Sequence, residues 1–451
     1  MIDKSLITRR RFLGKGGKAV LAGVGLICFK GSGILSCGSK ALPETVCVEE
    51  ALNSRASAAI EGGGKHYCKS IPGEMLDKKT IRDVLWSASK VYDFSPEIKL
   101  KNYAFTPYGN YFYDPLGDRL DDFTGNTGDA YIPGEKDGGM HAFQTLEGID
   151  VKKINESPHF DAIYKLGSSY MSLELFCAGY YPVPLATCNW GSSRRSVRDS
   201  QSYLTDNPEE VNFENLPLVQ KAPSWNGESY YAPGIHPDWD EDQLYGTPSV
   251  KSNIPISEAI ANFSFSDKIS SKPLSNKDLS CLMFGSCGSK YHDYPKNKNR
   301  IIGTCYPSST GRYYIRTDDA KGLAYVINSE GLLKYLSITE NNRPTSSFKM
   351  VIKDSKLKSR LEKALNVTSD FSPWYVLFND NQPIWTTDEI GYWGEITEAA
   401  SAEFCLRMQA YSMNLAVKTF LLNTIEKRKN IKDICDAFVS PFVVSAVGYK
   451  V

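Results

Sequence analysis

The sequence predicts an α+β protein made of two related halves. Three observations carry that expectation: a helical stripe near the start of each half, strand and turn texture after it, and an apolar helix late in each half. At 451 residues the chain is long enough for one large or two ordinary domains, and its 41% hydrophobic and 23% charged residues are those of a globular protein rather than a disordered one.

The helices come first in each half. Glu50-Ala51-Leu52 precedes Arg55-Ala56-Ser57, and Met75-Leu76 leads to Ile81, Val84, Leu85 and Trp86 at helical spacing. The pattern returns later, where Glu258-Ala259-Ile260 precedes Asn262-Phe263-Ser264 and Pro273-Leu274-Ser275 leads to Leu279, Leu282 and Phe284. Gly109-Asn110-Tyr111-Phe112-Tyr113 before Asp114-Pro115-Leu116-Gly117 reads as a hairpin, with Gly322 to Ile327 before Asn328-Ser329-Glu330-Gly331 as its later counterpart. The late helices are expected over Ser169 to Tyr180 and Glu398 to Leu415. The second of them sets Ala399, Ala402, Leu406, Ala410 and Met413 on one face, which makes it core. Residues 207–255, rich in Pro, Asp, Asn and Gly, read as a connector over the surface. The halves are therefore placed at 49–206 and 256–451, with a linker at 38–48.

Residues 1–37 read as an export leader. A basic region with Lys4, Arg9, Arg10 and Arg11 is followed by an apolar run from Ala19 to Phe29 and by small residues before Cys37. That run would rise only about 16 Å as a helix, roughly half a bilayer core, so cleavage is expected rather than a permanent span. Thr8-Arg9-Arg10-Arg11-Phe12-Leu13 resembles a twin-arginine signal, and Ile34-Leu35-Ser36-Cys37 resembles a lipobox with Cys37 as the lipidated residue. The resemblance implies folded export through the twin-arginine translocon and a periplasmic or cell-surface protein anchored to the membrane by lipid; a generic basic leader and a non-lipidated product remain as alternatives.

The formal charge of zero hides an asymmetry. Residues 1–36 hold seven of the 52 Lys and Arg but one of the 52 Asp and Glu, so the remainder is mildly acidic, near −6. With no basic block, nucleic acid is not expected as a partner. The eleven cysteines show no C-x-x-C pair. Cys405 and Cys435 fall on apolar helical faces as buried thiols, while Cys47 with Cys68 and Cys177 with Cys188 are pairs open to bridging in an oxidising compartment. No metal is expected: His66, His141, His159, His236 and His292 lack paired ligand spacing, and no Gly-x-Ser-x-Gly elbow is present. Asp238 to Asp242 resembles a calcium loop's opening, but Gln243 and Ser249 stand where its glycine and glutamate belong, so a solvated acidic loop is the reading. The connector aromatics Trp225, Tyr230, Tyr231, Trp239 and Tyr245 read as surface packing, with glycan contact as a weaker option.

The second half carries a family resemblance. Lys272-Pro273-Leu274-Ser275, Gly288, Arg300, and then Thr304-Cys305-Tyr306-Pro307-Ser308-Ser309-Thr310-Gly311-Arg312 are similar to nitroreductase-like FMN oxidoreductases, nearest the branch with azoline-oxidising dehydrogenases. Asn414-Leu415 and Val447-Gly448-Tyr449 match that family's helix end and terminal strand, and the resemblance extends more faintly over 49–205. It implies two nitroreductase-like halves forming an intramolecular pseudo-dimer that binds FMN at their junction. Carried over, the cofactor-binding candidates are Arg55, Ser57, Ser264, Pro307, Ser308, Ser309, Gly448 and Lys450, with Tyr306 and Arg312 beside the loop as catalytic candidates. A rival phosphate site is Arg194-Arg195-Ser196-Val197-Arg198, for which a solvated basic helix end is the plainer reading.

The sequence departs from the family pattern at four places. The Arg-x-Ser-x-Arg string becomes Asn262-Phe263-Ser264-Phe265-Ser266 in the second half, Ala59 stands at the second basic position of the first half, and the first half's Pro-Ser loop is missing between Tyr92 and Tyr108. Glu403-Phe404 replaces Gln-Asn in the late helix. The expected function is FMN-dependent electron or hydride transfer with a small-molecule substrate and a separate electron donor. The alternative is a flavin-free envelope lipoprotein of the same fold that acts as a binding or scaffold module.

Overall fold

The first predicted stripe is helical. Helix α1 spans Lys78–Ser89 and buries Ile81, Val84, Leu85 and Trp86. The computed structural model describes residues 42–43, 45–52, 76–90, 98–125, 140–147, 153, 156–179, 243–245, 252–266, 268–270, 272–287, 289–291, 301–303, 324–340, 343–367, 374–379, 389–436 and 441–451.

Asp77 caps α1 by accepting a 2.7 Å hydrogen bond from the Thr80 amide, the bond a short acidic side chain makes at a helix start. That bond holds its carboxyl below the ordinary range. Asp77→Ala is expected to remove about 1 kcal/mol near neutral pH. Because the folded-state pKa is lowered, this contribution is complete above the unfolded carboxylate pKa and fades as pH falls through the folded one. Urea midpoints of parent and variant should therefore differ near neutral pH and converge in acid.

The first half continues as β1 (Lys99–Thr106), β2 (Gly109–Asp114), β3 (Arg119–Asp122) and β4 (His141–Glu147), in the order β3-β2-β1-β4, followed by α2 (His159–Gly179). The hairpin expected at Gly109–Gly117 is β2, its turn and β3, paired antiparallel from Tyr111 opposite Asp122 to Asp114 opposite Arg119. Helix α2 starts earlier than Ser169 because Phe160, Ile163, Tyr164 and Leu166 carry its buried face back toward the N-terminus.

The connector contributes β5 (Gln243–Tyr245), which pairs with a strand of the second half. That half runs α3 (Ile256–Asn262), α4 (Asn276–Cys287), the short hairpin β6 (Ser289–Tyr291) and β7 (Ile301–Gly303), β8 (Ala324–Ile327), β9 (Gly331–Glu340), β10 (Arg343–Lys353), α5 (Leu357–Ala364), β11 (Trp374–Asn379), α6 (Glu389–Ser412), β12 (Leu415–Leu421), α7 (Ile425–Ile434) and β13 (Pro441–Tyr449). Its seven-stranded sheet has the order β12-β13-β11-β8-β9-β10-β5. Within it β10-β9-β8-β11 has the same chain order as the first half's β3-β2-β1-β4; α1 precedes the first set, α3, α4 and the β6–β7 hairpin precede the second, and each set is followed by a long helix. The counterpart of β8 is thus β1, one strand before the hairpin that sequence texture matched to it.

Helix α6 sits between two cores. Ala399, Ala402, Leu406 and Ala410, with Met413 against them, face the second sheet's core as their spacing predicts. Phe404, Cys405 and Met408 enter the core built from α1, α2, α3 and the first sheet. A third cluster, with Leu357, Leu361 and Ile431 from α5 and α7, covers the other face of the seven-stranded sheet. The helix ends at Asn414, whose φ of 55° is the left-handed cap conformation that asparagine tolerates.

Small residues let the helices approach closely. Where α2 crosses α6, Ser401 Oγ donates to Gly167 O at 3.3 Å and Ser168 Oγ reaches Ala400 O at 3.5 Å. A Cβ on Gly285 of α4 would fall 2.5 Å from Gln409 Oε1 and 2.9 Å from its Cβ, so that crossing admits no side chain. The openings of the halves also meet: Val48 N donates to Ile254 O at 3.0 Å and Ile256 N to Val46 O at 2.9 Å, around a bridge between Cys47 and Pro255.

Candidate functional site

Among the described residues the strongest concentration of buried charge is on α6. Glu403 and Arg407 are four residues apart and so share a helix face; they are 0% and 2% exposed. Glu403 Oε2 accepts from Tyr164 OH of α2 at 2.5 Å, and its Oε1 accepts from Thr419 Oγ1 at 2.6 Å and from Ser445 Oγ at 3.4 Å. Thr419 and Ser445 are directly opposite each other on β12 and β13, so the sheet presents both hydroxyls together. Arg407 Nε lies 2.7 Å from Glu403 Oε2, off the direction of a good hydrogen bond, so Coulomb attraction dominates that contact. Its Nη2 donates to Ser168 Oγ at 3.2 Å. A buried carboxylate held this way keeps its charge matched, which a solitary one could not do.

Aromatic rings enclose the guanidinium. Arg407 Cζ is 5.4 Å from the Phe263 ring centre, 5.3 Å from Phe265 and 4.9 Å from Phe404, all within cation–π range. Phe263 and Phe265 meet edge to face at 5.2 Å. They come from the segment after α3, whose backbone is fixed where Ser266 N donates to Val417 O and Ser270 N to Tyr449 O.

The two motifs that flank the second half meet at one point. Ser275, from Pro273-Leu274-Ser275, caps α4 with its Oγ accepting from Asp278 N at 3.1 Å and donating to Asp278 Oδ2 at 2.7 Å. Tyr449, from Val447-Gly448-Tyr449, donates its hydroxyl to the same Asp278 oxygen at 2.6 Å, and that bond first, then burial, pushes its pKa upward. Lys272 Nζ sits 4.8 Å from the centre of the Tyr449 ring.

Of the predicted cofactor-binding residues, three are described. Ser264 is exposed, between Phe263 and Phe265. Gly448 is buried, and a Cβ there would meet Ile269 Cγ2 at 2.4 Å, so the space over this glycine is filled by the chain itself. Lys450 pairs with Ile269 in an isolated bridge, and its Nζ is 5.7 Å from the Tyr411 ring centre. Burial first, then Glu258 nearby, raises the Tyr411 pKa. Ser264, Gly448 and Lys450 therefore gather around the 263–270 segment without forming a cradle, and this part of the chain does not fit a flavin phosphate. Arg55, Ser57, Tyr306, Pro307, Ser308, Ser309, Arg312, the rival Arg194, Ser196 and Arg198, and Cys37 lie outside the described residues.

Cys47, Cys281, Cys287, Cys405 and Cys435 are thiols outside any disulfide, the last four buried. Burial pushes Cys281 up to about 11 and Cys435 up to about 12, which leaves both protonated and unreactive near neutral pH. Among the described residues no group of three or more His, Cys, Asp or Glu could hold a metal ion, and no helix is long and apolar enough to cross a membrane.

The sequence flagged Glu403 only as a departure from a motif and missed Arg407, Tyr164 and Ser168. One signal was available: a glutamate and an arginine four apart in an otherwise apolar Ala399-to-Met413 helix.

No protein-family profile and no curated protein matches the sequence. Solved structures similar in fold include two proteins provisionally described as nitroreductases. The one from Ralstonia eutropha JMP134 is 12% identical, matching 46% of this chain and 90% of its own at a TM-score of 0.32. That from Anabaena variabilis ATCC 29413 is 10% identical, matching 92% of this chain and 93% of its own at 0.48. A chain of the E. coli microcin synthetase McbBCD complex is 15% identical, matching 53% and 84% at 0.27.

Proposed function

We propose that the chain is an internal pseudo-dimer of the nitroreductase type and acts as an FMN-dependent oxidoreductase on a small-molecule substrate, with a separate electron donor. One observation carries the architecture: the halves contact each other through equivalent positions. The separation that relates Cys47 to Pro255 also relates Val46 to Ile254 and Val48 to Ile256, so the bonds Val48 N to Ile254 O and Ile256 N to Val46 O exchange places under it. Ser168 to Ala400 and Ser401 to Gly167 exchange in the same way across α2 and α6. Reciprocal contacts of this kind are what a two-fold, self-complementary interface would produce, and they support the pseudo-dimer reading. The flavin part of the reading comes from the motif resemblance, and it places the ligand on Arg55 and Ser57 of the first half with the Pro307-Ser308 loop of the second. Export by the twin-arginine route and a lipid on Cys37 complete the reading.

Absorbance of the purified protein tests the function. Parent protein should be yellow, or turn yellow with added FMN, and Arg55→Ala should lower its flavin content at least about tenfold, the loss of a charge-assisted phosphate contact. Colourless protein that takes up no FMN would sink the enzyme reading. It would favour the second one, a flavin-free binding or scaffold module in the envelope, which the filled space over Gly448 supports.

A further inference from the structure

We infer that the layer formed by α5 and α7 is a membrane contact, a basic helical face that docks on an anionic lipid surface. The inference rests on the function proposed above only for the anchor that brings the chain to a bilayer, and it adds which side of the second half faces that bilayer.

Charge is unevenly placed in this chain. Residues 353–365 and 425–436, which build the two helices and their ends, hold nine Lys and Arg against five Asp and Glu. The other residues beyond position 36 hold 36 against 46, so a layer near +4 lies on a body near −10. Side-chain placement sharpens the difference. Lys353, Lys356, Lys363, Lys427 and Lys429 are exposed. Two of the five acids are half-buried and engaged: Asp354 holds Arg360 at 2.8 Å, and Glu362 accepts from the hydroxyl of buried Tyr375 at 3.1 Å with Lys358 3.7 Å away. Glu426, Asp433 and Asp436 are exposed and dilute the layer without reversing its sign.

The layer is held firmly. Leu357, Leu361 and Ile431 bury the apolar sides of both helices on the same face of the seven-stranded sheet, which turns their polar sides outward. Arg360 Nη2 reaches across to Ile434 O at 3.4 Å and ties α5 to the end of α7. At the other end Arg428, 5% exposed, donates to Leu422 O at 2.7 Å and lies 5.3 Å from the ring centre of Phe160 on α2.

An anionic bilayer fits this face better than a protein partner does. Protein interfaces are depleted in lysine and built around aromatic anchors, whereas the large apolar side chain this layer exposes is Ile425. Dispersed lysines need no shaped pocket, and each gains about fivefold in binding near an anionic lipid surface. A lipid anchor raises the local concentration of the layer at that surface, so contacts that are weak alone become effective.

Sedimentation of the full-length protein with vesicles tests this. Vesicles of phosphatidylcholine report the anchor, and the excess bound by vesicles of phosphatidylcholine with phosphatidylglycerol reports the layer. The expected excess is at least about tenfold at low salt and shrinks as salt is added. Lys356→Gln with Lys363→Gln and Lys429→Gln should abolish most of it and leave binding to neutral vesicles unchanged, which also shows that the variant is folded. The same number of exchanges at Lys90, Lys99 and Lys277, exposed elsewhere, should preserve it. Equal binding to both vesicles, or an excess that survives the first variant, would overturn the inference. So would equally tight capture by soluble polyglutamate, which would assign the layer to an acidic protein. Binding to anionic vesicles alone would support the layer while removing the lipid on Cys37 from the proposed function.

Discussion

Glu403→Ala is expected to remove about 3–5 kcal/mol of folding stability, because it leaves the Arg407 guanidinium buried without its carboxylate. That is a large fraction of the roughly 5–15 kcal/mol that holds a domain folded. Arg407 is 2% exposed, so water cannot take over the missing charge. The rings of Phe263, Phe265 and Phe404 supply only a cation–π contribution of about 1–2 kcal/mol. Replacing both partners, as in Glu403→Leu with Arg407→Met, removes the unpaired charge and should recover part of the loss. Recovery should be incomplete, since the Tyr164 and Thr419 hydroxyls lose their carboxylate acceptor, at about 1–3 kcal/mol for a buried polar group deprived of its partner. Denaturant midpoints of parent, single and double variants measure this. A single variant within about 1 kcal/mol of the parent would mean that the pair is hydrated in solution. The network joins α2, α6, β12 and β13, so its loss should also loosen the junction between the halves.

The local parts of this fold were legible because single segments encode them. The stripe Ile81, Val84, Leu85, Trp86 needed only its own spacing to declare α1, and the small-residue face of α6 likewise declared itself as core. Asp114 to Gly117 declared a turn through residue chemistry. What the sequence could not convey was pairing between distant segments. Texture alone made β2 the counterpart of β8, whereas the sheet order makes it β1, because hairpins of similar composition look alike until their neighbours are known. The connector's β5 is three residues long and carries too little periodicity to be seen. The site suffered most from this limit. Glu403 registered only as a departure from a motif and Arg407 not at all, because spacing along a helix does not reveal that both are buried.

The second large effect is expected at a turn, in Gly331→Ala. Gly331 opens β9 at φ 149°, in a region that L side chains rarely adopt, and a Cβ there would lie 1.9 Å from Ile352 O and 3.0 Å from Asp354 N. The obstacle is backbone, and no rotamer change can relieve it. Asn328 tightens the turn further, with its Oδ1 accepting from Glu330 N at 2.8 Å and Gly331 N at 3.1 Å. Across the ladder the register shifts between Met350 and Ile352, so the bulge that brings Ile352 O over Gly331 is built into β10. Dihedral strain of about 1–3 kcal/mol and overpacking of similar size together predict a loss of about 3–5 kcal/mol. Glu330→Ala, one residue earlier and exposed, should change stability by less than about 0.5 kcal/mol. The two variants differ by one position, so unequal denaturant midpoints would isolate the backbone contact from any general sensitivity of the turn. The strain should also spread unevenly: Leu332 and Ile327, paired across this turn, belong to the core under α5 and α7. Amide exchange should therefore quicken there before it changes on α6, whose contacts lie on the opposite face of the sheet.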